Sequence, residues 1–249
     1  MSHVVRHIPH SSLVIPKAHR EPFLLCDEEL EFELLQMTDR YTDELFDDLP
    51  GVAVTFPISR LLVDVERFED DHLEPMSSRG MGALYRQTHD QRPLRRALSA
   101  EERECLLHQF YRPHHQALEA AVETALQAHG RALLIDCHSF PSRALPYEMF
   151  DHQTRPEIGI GTDATHTSEA LMVKAVMAFA HRGFSVALNK PFPGTITPLK
   201  FYGRETRVQS VMIEVRRDLY MDETTGAKLK GFDILKAQIG TAIRELTAG

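Results

Sequence analysis

Cysteine is scarce in this chain of 249 residues. Cys26, Cys105 and Cys137 are odd in number, far apart, and form no C-x-x-C pair. That excludes a disulfide framework and a cysteine-caged metal, and it suits reduced thiols in a cytoplasm. Long apolar runs are missing as well. No stretch approaches the roughly 18 apolar residues of a membrane span, and the opening MSHVVRHIPHSS lacks the apolar centre of a signal peptide. Basic clusters are absent: the net charge is −8 and the lysines and arginines are scattered. A phosphate-tracking stripe is therefore excluded, and with it a nucleic-acid partner. No Gly/Ser-rich or Pro-rich linker and no internal repeat divides the chain, so residues 1–249 are expected to form one domain.

What is present reads as alternating strands and helices. HVVRHI is a short strand ended by Pro9. Residues 27–48 carry Leu30, Leu34, Met37, Tyr41 and Leu45 at helical spacing, which predicts one helix. VAVTF (52–56) and RLLVDV (60–65) read as strands around a Pro57 turn, and polar residues 69–98 as a loop. Ser99 with Glu102 is a capping box. The helix it opens should run to Gly130, kinked or broken at Pro113. A strand at 132–137, a helix at 168–182, strands FSVAL and SVMIEV, and a last helix at 229–247 complete the pattern. ALLID and SVMIEV are apolar on both faces, which describes a mostly parallel sheet covered by helices on both sides.

In such folds the chemistry sits at the carboxyl ends of the strands. His10 follows the first strand there, Asp64 to Arg67 the third, and His138 the fourth, while Glu214 lies near the end of the last. Two imidazoles and a carboxylate would leave one position open on a zinc ion. Asp39 and Asp43, four apart on the expected helix, both qualify as the carboxylate. Spacing alone does not establish a metal, because no H-E-x-x-H helix supports it. Glu214 lies among Val211, Met212, Ile213 and Val215. A carboxylate there is costly unless paired or working. It is either a general base with a raised pKa or half of an ion pair with Arg216 or Arg60. Arg60 and Arg67 can hold a carboxylate or polarise a carbonyl, or simply pair with Asp64 and Glu66. A thiol nucleophile at Cys137 is disfavoured, since adjacent strand residues Cys137 and His138 point to opposite faces.

Taken together, IPHSS, TDRYTDELF, SRLLVDVER, YRPHHQAL, LLIDCHS, GIGTD, NKPFPGTITPLKFYG and VMIEVRRDLYMDE occur in an order that resembles the N-formylglutamate amidohydrolases. The resemblance implies an α/β fold: a single α/β/α domain with a central mixed, mostly parallel sheet, of the zinc-carboxypeptidase-like and aspartoacylase-like (phosphorylase/hydrolase-like) kind. It implies one zinc ion, or another divalent metal, on His10, Asp39 and His138, with Asp43 in reserve. It gives Glu214 the role of general acid and base, Arg60 that of polarising the scissile carbonyl, and Arg67 that of gripping a substrate carboxylate. His115 would back the ligands without touching the metal, and Asp136 would orient their surroundings. The implied partner is a small anionic N-acyl amino acid, N-formylglutamate above others, with no nucleic acid and no membrane.

Two departures bear on carboxylate recognition. Glu66 stands where the family has asparagine before the arginine, and Pro198 replaces an arginine in the loop before the last strand. Lys200 or Arg204 are candidate substitutes, and Arg79 and Arg86 lie on a loop placed either over the site or in solvent. Another N-acyl amino acid or a short peptide is the alternative substrate, and a non-catalytic binding protein the alternative class.

Overall fold

The structure, a computed structural model, describes residues 2–148 and 155–248. Six strands form one sheet: β1 (Val4–Ile8), β2 (Val52–Thr55), β3 (Ala132–Phe140), β4 (Ile158–Gly161), β5 (Val186–Leu188) and β6 (Val208–Arg216). Their order is β2-β1-β3-β6-β4-β5. Every pairing is parallel except that of β4 with β6. The sheet is therefore mixed and mostly parallel, in an α/β fold.

Alternation along the strands sorts the side chains onto two faces. Val4, Ile8, Leu133, Ile135, Cys137, Val211, Ile213 and Val215 turn to one face. There they pack against α5 (Glu169–Ala180) and α6 (Phe232–Thr247) through Ala175, Phe179, Ile239 and Ile243. Val5, Leu134 and Val208 turn to the other, against Leu118, Val122 and Ala125 of α4 (Arg112–His129). Further along the same strands this second face changes character. Val5 is followed by His7, Leu134 by Asp136 and His138, and Val208 by Met212 and Glu214. The register pairs His7 with Asp136 and His138 with Glu214, so these groups meet side by side.

The capping box forms as expected, with Ser99 Oγ accepting from Glu102 N–H and Glu102 accepting from Ser99 N–H. It opens α3 (Ala100–Leu106), and a wide π turn at Leu107–Tyr111 joins α3 to α4. The widened turn absorbs Pro113, which has no N–H for the α ladder. Gly130 ends α4 in a left-handed conformation, φ 68°.

Two expectations are corrected, and one strand is new. The helix expected over 27–48 is broken: α1 is Asp27–Met37 and α2 the single turn Thr42–Leu45. Between them Asp39 N–H donates to His10 O (3.0 Å), and Tyr41 adopts φ 68°. A contact between distant segments ends this helix, not a local breaker. Residues 60–65 form turns rather than a strand. Leu61, Leu62, Val63 and Val65 are all buried, and the Arg95 guanidinium caps the Leu61 and Leu62 carbonyls where a neighbouring strand would. β4 was not foreseen because IGIG is short and half glycine. A Cβ on Gly159 would lie 2.8 Å from Lys190 O and 3.1 Å from Glu214 Cβ, so only glycine lets the loop and β6 approach this closely.

Candidate active site

The polar end of the second sheet face lies under a cap built from the loop between β2 and α3. Phe56, Ile58, Leu61, Leu62, Val63, Val65, Tyr85 and Leu94 form its core. Between cap and sheet is a cavity of about 340 Å³ whose lining includes His10, Asp39, Arg60, Arg67, His138 and Glu214.

His10, Asp39 and His138 converge. His138 Nδ1 is 3.1 Å and His10 Nδ1 3.6 Å from the same atom, Asp39 Oδ2. The other nitrogen of each ring is held by a carboxylate: His10 Nε2–H donates to Asp64 Oδ1 (2.8 Å) and His138 Nε2–H to Asp136 Oδ1 (2.9 Å). Carboxylates behind both rings fix the rings so that the two Nδ1 atoms face inward, the arrangement of metal-ligating histidines. His10 Nδ1 is buried without a hydrogen-bond partner. An orphaned buried nitrogen is costly unless something binds it, and donor atoms this close together fit one divalent cation. Burial opposes charge on His138, but Asp136, Glu66 and Asp39 raise it well above the usual histidine range. The negative field that does so also favours a bound cation.

Arg217, which the sequence reading passed over, completes this group. It donates to Asp39 Oδ1 (2.8 Å), Gln36 O (2.5 Å) and Ser139 Oγ (3.3 Å), and it is nearly fully buried. Burial alone would raise the Asp39 carboxyl; His10, His138 and Arg217 instead hold it well below the carboxylate range. Asp43 is exposed and absent from the cavity, so the broken helix separates the two candidate carboxylates.

Glu214 stands beside His138 with no side-chain hydrogen bond among the described residues, and its Oε2 is buried and unpartnered. Burial pushes its carboxyl up to about 8. The ion-pair alternative does not form: Arg216 pairs with Asp218 (2.7 Å) and Arg60 with Asp64 (2.8 Å). Arg60 gives Nε and Nη2 to Asp64, while its Nη1 lies 3.8 Å from Asp39. Arg67 is different. Its guanidinium makes no hydrogen bond among the described residues and is 3.9 Å from Asp64 at its nearest.

Behind His10, Asp39 and His138 lies a second chain of contacts. His7 Nδ1 is 2.9 Å from Asp136 Oδ1 and 3.1 Å from Glu66 Oε1, and its Nε2 is 2.8 Å from His114 Nε2. Burial would lower His7, but Asp136 and Glu66 prevail and raise it to about 9. Burial and the charge of His7 push His114 down to about 2. His114, not His115, therefore touches this network. His115 lies tilted against Tyr111 with ring centroids 4.3 Å apart. The parity His7 shares with Asp136 on paired strands was the available signal for His7. For His114 the signal was its neighbour His115, one residue away. Glu66 lies in the cavity between His7 and His138. Pro198, Arg79 and Arg204 do not line it, and the two arginines are exposed.

Comparison with known proteins identifies the family. The family model described as N-formylglutamate amidohydrolase matches residues 2–221. An N-formylglutamate deformylase of Pseudomonas putida is 28% identical over 226 residues, 87% of this chain and 81% of that protein. One of Pseudomonas aeruginosa is 33% identical over 203 residues, 78% of this chain and 74% of that protein. The crystal structure of an N-formylglutamate amidohydrolase from Ralstonia eutropha JMP134 superposes with a TM-score of 0.82 at 26% identity, covering 98% of this chain and 92% of that one. The match reaches from the first strand past Glu214 and Arg217, and takes in every residue that lines the cavity: the chain belongs to the N-formylglutamate amidohydrolase family.

Proposed function

We propose that this protein hydrolyses the formyl amide of N-formyl-L-glutamate to formate and L-glutamate, using one divalent metal, zinc, held by His10, Asp39 and His138. The observation that carries the proposal is the meeting of two inward-facing Nδ1 atoms and Asp39 Oδ2 beside an unpartnered carboxyl group, Glu214. When bound, such a cation acts as a Lewis acid, acidifying water and polarising a carbonyl oxygen.

The remaining work falls to side chains. Glu214, raised to about 8, is matched to proton transfer near neutrality. It takes a proton from the attacking water and returns it to the amide nitrogen as the C–N bond breaks. Arg60 Nη1, the end of its guanidinium not given to Asp64, supplies positive charge where the tetrahedral oxyanion develops. Arg67 holds the α-carboxylate of the amino acid, for which its uncommitted donors are suited. Asp64 and Asp136 keep the imidazoles in the tautomer that leaves Nδ1 free to bind.

The test is metal content and formate release on one purified sample, with and without chelator. About one zinc per chain and chelator-sensitive release, restored by zinc, are expected. A protein that takes up no metal when zinc is supplied, or that hydrolyses undiminished in chelator, would overturn the proposal.

A further inference from the structure

Next to the His10–Asp39–His138 centre, one imidazole nitrogen faces two carboxylates. His7 Nδ1 lies 2.9 Å from Asp136 Oδ1 and 3.1 Å from Glu66 Oε1. A single N–H is well aligned with one acceptor at a time, and here that acceptor is Asp136. Glu66 Oε1 is left buried with no hydrogen-bond partner. Asp136 is already in use: its Oδ1 also accepts from His138 Nε2 (2.9 Å) and its Oδ2 from Ile196 N–H (3.2 Å). A buried carboxylate oxygen without a partner is costly. A divalent cation among the three donor atoms would serve it where one proton does not.

The geometry suits such an ion. Zinc holds nitrogen and oxygen donors at about 2.0–2.2 Å, so tetrahedral neighbours lie about 3.4 Å apart. The His7, Glu66 and Asp136 donors all lie within 4.8 Å of one another. The two separations from His7 Nδ1 are shorter than the 3.1 and 3.6 Å found around Asp39. The far side of the ring agrees: His7 Nε2 is 2.8 Å from His114 Nε2. With its proton on Nε2, His7 donates to His114 and leaves Nδ1 bare, the tautomer of a ligating histidine. His7 and Asp136 are fully buried, whereas Glu66 lines the cavity and is 15% exposed, so an ion would enter from the cavity. The cluster of Glu33, His89 and Asp90 offers no such vacancy. Both Glu33 oxygens accept from His89, and Asp90 accepts from Thr88 and Arg92.

We propose that His7, Glu66 and Asp136 form a second divalent-cation site, for zinc or a similar ion, beside the His10–Asp39–His138 centre. It fills after the first, because Asp136 is shared with His138 and because two nearby cations repel. Its open position faces the cavity through Glu66. Glu66 is also the residue that stands where the family has asparagine, so the second carboxylate belongs to this chain's own sequence. The site adds to the amidohydrolase reading and stands on residues that reading does not use as ligands.

The experiment dialyses the purified enzyme against rising zinc and counts bound metal. Wild type should saturate at about two zinc ions per chain. Glu66→Gln should keep the tighter step and weaken the second by at least about tenfold. Zinc-edge anomalous maps of crystals grown in excess zinc should place the second ion between His7 and Glu66. Saturation at a single zinc, a second ion located elsewhere, or a second step that Glu66→Gln weakens by less than that factor would overturn the inference and leave the amidohydrolase reading intact. A protein that takes up no zinc would overturn both. Should Glu66→Gln fail to fold, the wild-type stoichiometry and the anomalous map decide between these outcomes.

Discussion

Replacing Glu214 by glutamine should raise stability and destroy activity together, and both effects follow from one buried oxygen. The carboxyl is 5% exposed, and burial lifts its pKa from 4.5 to about 8. Between those values the folded chain binds a proton that the unfolded chain has released. Wild-type stability therefore falls as pH rises through this window and levels off above it. The slope is about 1.4 kcal/mol per pH unit. From pH 5 to pH 7 the variant should gain about 3 kcal/mol on the wild type, since glutamine has no charge to bury. Urea unfolding in chelator at pH 5, 6, 7 and 8 measures this directly. Saturating zinc should narrow the gap, because a cation beside the carboxylate favours its ionised form. Turnover should fall by about 10² to 10⁴, the usual contribution of a general base, with metal content unchanged. A stability difference independent of pH would refute the raised pKa, and near-normal turnover would refute the role in catalysis.

Other residues make separable predictions. Asp136→Asn removes the carboxylate charge behind the His138 ring, and should weaken zinc binding by about 10- to 100-fold in competition with a chromophoric chelator. Arg217→Met leaves Asp39 buried without its nearest charge, and should cost about 3–5 kcal/mol of unfolding free energy; a loss below about 1 kcal/mol would show that the pair contributes little. Far from the cavity, Glu33 accepts from His89 N–H and lies 2.6 Å from His89 Nδ1, and His89 is raised despite burial. Stability from this pair should be full below pH 6.5 and be lost as pH rises through the higher folded value. Glu33→Gln should therefore lower Tm more at pH 6 than at pH 9.

Much of the fold could be read in the sequence because its strongest signals are periodic. The apolar strands β1, β3 and β6, the capping box at Ser99 and the glycine stop at Gly130 are local patterns with local causes. The misreadings share a different cause, since tertiary contacts there replace the local rule. Residues 27–48 keep helical spacing through the break, and nothing in TDRY announces that Asp39 N–H will leave the helix for His10 O. RLLVDV has strand composition, yet the Leu61 and Leu62 carbonyls are satisfied by Arg95, which is 34 and 33 residues away. Composition reports that a segment is buried, not which donor will reach its backbone.

The site shows the same division, and shows why alternation is the more powerful guide. Parity on β3 and β6 places Asp136, His138, Met212 and Glu214 on one face, and β1 adds His7 through its register with Asp136. Arg217 escapes this logic because it lies beyond β6, in the turn Arg217–Leu219, where side chains no longer alternate. Yet its presence follows from Asp39. A carboxylate that is 1% exposed, with two histidines on one oxygen, needs a donor for the other oxygen. The Arg217 guanidinium supplies it from just beyond the end of β6. The helix break and the buried arginine are thus one feature. α1 ends at Met37 so that Asp39 can face two imidazoles, and Arg217 holds it there. A variant that restored the continuous helix would carry Asp39 away from His10 and should lose the metal before it lost the fold.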